Sequence, residues 1–432
     1  MPTIEGIIFI PAGFFSFFFR PRFLFPLLIF SAVFQASTIV SFGTIGLQPY
    51  YFISILFILR FLILEMNRDS KVLRQYSFVK IWIVFAIFAA IATAVLPALF
   101  HGVRVFSPDF TIDANFLNPA HLSYRFGDAL QVFLLFLNVL VVIAALKQVK
   151  NVALSHKAYR WSSYLVIVIV LLQVACFWRG IPFPTQLFNN NLAYGIVGMD
   201  ADQLRPAGSF TEPSMAGGVL AAIAASYLWM YFAGKSNILR AGIAVVACLL
   251  IASSSSLLAI AIVVLIFLVA NPVMRFPWFL RIGKLRRLSA FFISGAALSL
   301  LMLVPNIRNI LLAQTVQKGT SWSALARLGA DLFAFHLTLQ THGLGVGLGG
   351  NRPSSLVASL SSQVGVIGLC LFAYASYRTL WPLPKAYRWI GMAAITLLLS
   401  MAFGLPDLSF PFLWILFALA AQSRAVDALE AH

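Results

Sequence analysis

Charge is what this sequence has least of. Only 10% of its 432 residues are Asp, Glu, Lys or Arg, and 13 are acidic. A soluble domain is about a quarter charged, so a surface bathed mainly in water is excluded. Cysteine is nearly missing too. Cys176, Cys248 and Cys370 each sit in an apolar run, which excludes a disulfide framework. Histidine and cysteine nowhere cluster at metal-ligand spacing, so no metal is expected. A phosphate-binding P-loop motif is absent, which excludes the common nucleotide site; no cofactor is expected. The composition also excludes disorder, collagen and coiled coil.

What is present is apolar: 61% of residues are hydrophobic and the mean hydropathy is +0.93. A membrane helix needs about 20 mostly apolar residues. Such runs lie near 22–40, 48–66, 79–100, 128–147, 161–178, 213–232, 238–254, 256–272, 288–305, 355–379, 386–404 and 410–422. They predict an all-α polytopic membrane protein of about twelve transmembrane helices, in a single integral membrane domain over 1–432. The stretch 7–19 is apolar but broken by Pro11 and Gly13. It has no basic cluster before it and no small-residue cleavage site, so it reads as an interfacial or half-inserted helix rather than a signal peptide.

Charge sets an orientation. With the N-terminus in the cytoplasm, most of the 30 Lys and Arg residues fall in the connections on the cytoplasmic side, as the positive-inside rule requires. Both termini are then cytoplasmic. The long connections 101–127, 179–212 and 306–353 are then outer, periplasmic loops. The net charge of +17 becomes an orientation signal and an attraction to the anionic inner leaflet. It is not a nucleic-acid footprint.

Long loops in compact folds usually carry function. Loop 179–212 ends in Arg205-Pro-Ala-Gly-Ser-Phe-Thr-Glu212, just before a span opened by Pro213. Thr211 suits an N-cap, and Glu212 sits near the positive end of the helix dipole. A helix-start role is one reading of Glu212. The other is a carboxylate facing Arg205 across a Gly-containing turn, suited to general-base work on a hydroxyl.

The last outer loop has two parts. Residues 321–340 predict an amphipathic helix with Leu325, Leu328 and Leu332 on one face. Arg327 and Asp331 stand at i, i+4 on another, where a surface ion pair is the plain reading. Next comes His342-Gly-Leu-Gly-Val-Gly-Leu-Gly-Gly-Asn-Arg352, with Gly345, Gly347 and Gly349 spaced to bring backbone N–H groups close to an anion. Arg352 then precedes a helix start, where dipole and side chain both favour phosphate. Together Arg205, Arg327 and Arg352 read as a pyrophosphate clamp on the same face as one acid. Of the outer histidines His101, His121, His336 and His342, the pair flanking the Gly run, His336 and His342, rank as alternative bases. Trp178 and Trp322 are candidates to stack on sugars, although membrane-interface aromatics read the same way.

At these residues the sequence resembles the bacterial O-antigen polymerase/ligase superfamily, the Wzy-type polysaccharide polymerases and their ligase relatives. The likeness covers roughly 200–380. It is carried by Arg205…Gly208-Ser-Phe-Thr-Glu-Pro-Ser214, by the outer helix with Arg327, and by Gly343-Leu-Gly-Val-Gly-Leu-Gly349 ahead of a span containing Gly365-Val-Ile-Gly368. The resemblance implies a GT-C-like membrane glycosyltransferase of the bacterial inner membrane, with short amphipathic outer helices, no metal and no nucleotide sugar. The implied substrates are undecaprenyl-pyrophosphate-linked glycans, and the implied partners are a polysaccharide co-polymerase (chain-length regulator), the flippase of the same pathway and the lipid bilayer. Ligases carry a His-Asn-type element where Ser354 and Ser355 stand, which favours a polymerase for O-antigen or exopolysaccharide. The 253–256 serine turn lacks the Arg that relatives carry there. The alternatives are an O-antigen ligase acting on lipid A-core and, from another class, a lipid-linked oligosaccharide transporter. Transporters place ionisable residues and broken helices at mid-membrane, and these spans are almost free of charge.

Overall fold

The computed structural model describes residues 3–42, 45–65, 76–106, 118–191, 206–251, 253–273, 322–381 and 383–430. Helices dominate them: α1 (Ile4–Phe18), α2 (Leu24–Ser31), α3 (Pro49–Arg60), α4 (Ser77–Leu99), α5 (Phe126–Ala145), α6 (Val152–Trp178), α7 (Pro213–Phe232), α8 (Ile238–Ile251), α9 (Ser254–Val273), α10 (Trp322–Gln340), α11 (Leu356–Leu380), α12 (Arg388–Gly404) and α13 (Pro411–Glu430). The described sheet is two short antiparallel ladders, β1 (Val40–Phe42) with β2 (Ile45–Leu47), and β3 (Arg104–Val105) with β4 (Ala120–His121). Five described helices, α4 to α7 and α11, are long and apolar enough to cross a membrane. The chain is an all-α membrane protein at that level. The expected span 288–305 lies outside the described residues.

The first expected span, 22–40, is not one helix. α2 stops at Ser31. The polar residues that follow bond outside any helix: Gln35 Oε1 accepts from Thr211 N at 3.1 Å, and Ser37 Oγ donates to the Phe188 carbonyl at 3.0 Å. Side chains of this kind compete with helical hydrogen bonds. The stretch 7–19 is helical, as expected, but it is packed: a Cβ on Gly13 of α1 would lie 2.8 Å from the Ile53 side chain of α3, and Phe9 packs on Phe34 edge-on at 5.4 Å.

The chain divides into two compact units. Unit 1 is Met1–Phe57, Lys150–Gln317 and Leu383–Ser400; unit 2 is Ile58–Val149, Lys318–Pro382 and Met401–His432. Each is described by itself.

In unit 1, α7 is almost wholly enclosed. Its Ala and Gly residues let neighbours approach closely, the usual basis of helix association in lipid. A Cβ on Gly217 would fall 2.5 Å from Ser256 Oγ, and one on Gly218 3.1 Å from Ser400 Oγ. The Ser256 and Ser400 hydroxyls are 3.3 Å apart. The serine turn at 253–256 is therefore a packing surface, joining α9 to α7 and α12.

One end of unit 1 corrects the orientation argument. Thr3 N donates to the Ile39 carbonyl, and Asn190 Nδ2 donates to the buried Glu5. Residues 3–6 thus sit at the same end as 188–191, in the loop 179–212. A cytoplasmic start of the chain and a periplasmic 179–212 loop cannot both hold. The count of basic residues could not detect this, because Arg20 and Arg22 lie at the far end of α1.

In unit 2, residues 412–421 of α13 are buried on every side, the pattern of an enclosed helix. Trp82 of α4 packs on Trp414 and Phe417, with centroids 5.1 Å away in each case. Its indole N–H donates to Thr379 Oγ1 of α11 at 3.0 Å.

Candidate functional site

The Gly run belongs to unit 2. After α10 the chain turns through His342 (φ 51), and Gly343, Gly345, Gly347 and Gly349 all have positive φ, from 79 to 96. Only glycine takes that conformation freely. The run lies against α11, which is itself broken at Gly365 (φ 69, ψ −176). The break frees the Ser362 and Gln363 carbonyls, which accept from Val346 N at 2.9 Å and Gly347 N at 2.8 Å. Val366 N in turn donates to the Gly343 carbonyl at 2.9 Å. Backbone groups freed within a membrane helix need such replacements.

The amides of the run are already engaged. Gly345 N donates to Thr341 Oγ1 at 3.0 Å, Leu348 N to Thr93 Oγ1 at 2.8 Å and Gly349 N to Gln363 Oε1 at 3.1 Å. The expected anion cradle of Gly345, Gly347 and Gly349 amides is therefore corrected. These glycines allow close approach, but to α11: a Cβ on Gly345 would lie 2.6 Å from the Gln363 carbonyl oxygen.

What the run holds in place is Arg352. Asn351, buried, accepts from Phe106 N through Oδ1 at 3.0 Å and donates to Ser362 Oγ at 3.2 Å. Its carbonyl accepts from Gln363 Nε2 at 2.7 Å. Arg352 N donates to the Phe106 carbonyl at 3.1 Å, and the residue is only 9% exposed.

The start of α11 is closed from α10. Asp331 Oδ1 accepts from Ser354 N at 2.7 Å and Ser355 N at 3.1 Å, and Ser354 Oγ donates to the Arg327 carbonyl at 3.1 Å. Ser355 is the N-cap, accepting from Ala358 N. The segments bearing Arg327, Asp331 and Arg352 are thus brought together. Asp331 is a cap supplied across helices, which the i, i+4 spacing did not suggest. The helix-start amides expected to favour phosphate hold this carboxylate instead. His336 is exposed, its Nε2 3.1 Å from Gln340 Nε2. His342 is exposed too. Leu325, Leu328 and Leu332 do share a face, and it points away from the protein.

Unit 1 holds the other candidates. Arg205 lies outside the described residues. Glu212 itself occupies the N-cap position of α7, and its side chain makes no capping bond. Thr211, expected there, instead points its hydroxyl at the Met215 sulfur at 3.0 Å. Glu212 Oε2 accepts from Ser214 Oγ at 3.0 Å, and the residue is half-buried. The carboxylate is therefore not engaged in closing the helix start.

Sequence reasoning passed over Asn351 and Gln363. The available signal was an amide side chain in or beside a span; its partners, such as Phe106, are too distant in sequence to read. No protein-family model matches the chain, and no curated protein matches it. The functional reading rests on the residues and their geometry.

Proposed function

We propose that the protein is a membrane glycosyltransferase that polymerises undecaprenyl-pyrophosphate-linked repeat units at the periplasmic face of a bacterial inner membrane. The observation that carries this reading is Arg352. It is a cation 9% exposed, on backbone pinned by Asn351 and Phe106, four residues ahead of α11. A planar guanidinium binds phosphate oxygens in pairs. Held rigidly, it stabilises the departing pyrophosphate, where the largest charge change of the reaction develops. Arg327, whose carbonyl accepts from Ser354 Oγ beside it in unit 2, is a further member of the clamp. Glu212 takes the proton of the acceptor hydroxyl; His336 and His342 are the next candidates. The reading includes about twelve spans in a GT-C-like arrangement, a co-polymerase and a flippase as partners, and a cytoplasmic C-terminus.

The break in α11 favours a second reading, because transporters use discontinuous helices as ion sites. Here the Gly run fills the Ser362 and Gln363 carbonyls, which supports the enzyme. The test is purified protein in liposomes with lipid-linked repeat units. A ladder of lengthening glycans is expected. Transfer only to added lipid A-core identifies a ligase. Movement of unaltered lipid-linked glycan across the bilayer, without a ladder, identifies a transporter.

A further inference from the structure

Gln173 stands in α6 within the apolar stretch 166–174 and is 4% exposed. A polar amide buried in a membrane-spanning helix is costly unless it is bonded. Its Oε1 accepts two bonds from one loop, from Ala207 N at 3.0 Å and Gly208 N at 2.7 Å. Gly208 has φ +61, and a Cβ there would lie 2.9 Å from Val170 Cγ2. Val170 precedes Gln173 by one turn on the same face of α6, so the glycine lets the loop settle onto that face. The loop is fastened further along by Ser209 Oγ to the Val33 carbonyl at 2.6 Å and by Thr211 N to Gln35 Oε1 at 3.1 Å. This is the segment leading from Arg205 to Glu212. Unit 2 has the same device, in which Gln363 grips Gly349 and Asn351 beside Arg352.

We infer that Gln173 is a positioning residue, fixing the 206–212 segment so that Glu212 is presented to the acceptor hydroxyl; this rests on the glycosyltransferase reading. The roles of the two ends of the amide differ. The carbonyl oxygen does the gripping, so Gln173→Glu, whose carboxyl oxygen also accepts, retains it. Gln173→Met, of similar size, does not.

The experiment uses the full chain with Cys176, Cys248 and Cys370 changed to Ala, and Ala207→Cys as a reporter of loop position. Gln173→Met is expected to raise the labelling rate at 207 by an impermeant maleimide about tenfold, the loss of two net hydrogen bonds. Polymer formation per folded protein should fall by about ten- to a hundredfold, the effect of a misplaced catalytic group. Gln173→Glu should restore both. Gly208→Ala, which pushes the loop off α6 from the other side, should act like Gln173→Met and serves if that variant does not fold. Unchanged labelling in both disruptive variants overturns the inference. So does faster labelling with turnover per folded protein held at the wild-type level. If the wild-type chain makes no polymer, the enzyme reading fails on its own, while the labelling comparison still decides whether Gln173 grips the loop.

Discussion

Two acids stand at helix starts in the folded chain, and only Glu212 stands at one in the sequence; Asp331 lies within α10. Asp331 Oδ1 accepts two amides of the α11 start, whereas Glu212 makes no capping bond at α7. Sequence spacing placed Glu212 at a helix start but read Asp331 as the i, i+4 partner of Arg327, since Asp331 acts on residues more than twenty positions away. The difference separates their expected variants. Glu212→Gln should leave folding unchanged and lower polymer formation by about 10²- to 10⁴-fold, the range of a lost general base. Near-normal turnover of the purified variant would move the base to His336 or His342. Asp331→Ala should leave two buried-end amides unpaired and destabilise by about 1–3 kcal/mol, read as a lower thermal midpoint, whereas Asp331→Asn keeps an acceptor and should be milder. For Arg352, even Arg352→Lys should impair transfer with normal membrane expression, because a point charge cannot replace the planar fork. Full activity of Arg352→Ala discards the clamp.

Among the elements, long apolar helices were the most legible, because a bilayer imposes a length that shows directly as a run of apolar residues. The Gly run was legible as a place and misread as a surface. Its composition says that the backbone adopts positive φ, but not which way the N–H groups point. That direction is set by Thr93, Ser362 and Gln363, and by a helix break at Gly365 that apolar periodicity does not reveal. The glycines separate accordingly. Gly345→Ala combines a positive φ with a Cβ 2.6 Å from the Gln363 carbonyl oxygen and should destabilise by about 1–3 kcal/mol or more. A Cβ on Gly329, inside α10, would meet nothing within 4 Å, so Gly329→Ala should stabilise by about 0.5–1 kcal/mol. Thermal unfolding of the two variants in detergent is the comparison; equal midpoints would mean that the Gly run does not lie on α11.

At the scale of the whole molecule, the alternation of basic and acidic connections gave an orientation that geometry then tests at its weakest point. The only charged residue in 1–19 is Glu5, so reversing α1 hardly alters the balance of charge between the two faces. Hydrogen bonding decides where counting cannot: Thr3 and Glu5 bond to Ile39 and Asn190, at the end of unit 1 that carries the 188–191 loop. α7 leaves Glu212 and reaches Phe232, so Asn237 follows at its other end. Single cysteines at Ile4, Gln186 and Asn237, in a background lacking the native three, turn this into a measurement on sealed vesicles of known orientation. An impermeant maleimide should label positions 4 and 186 from the same side, and position 237 from the opposite one. The periplasmic site requires further that 4 and 186 react from the periplasmic side. Labelling of 4 together with 237, with 186 alone across the bilayer, would restore the cytoplasmic start and contradict the packing of α1. Labelling of 4 and 186 from the cytoplasmic side would keep that packing but place Glu212 on the face where no lipid-linked glycan awaits polymerisation, and the proposed reaction would have to be abandoned.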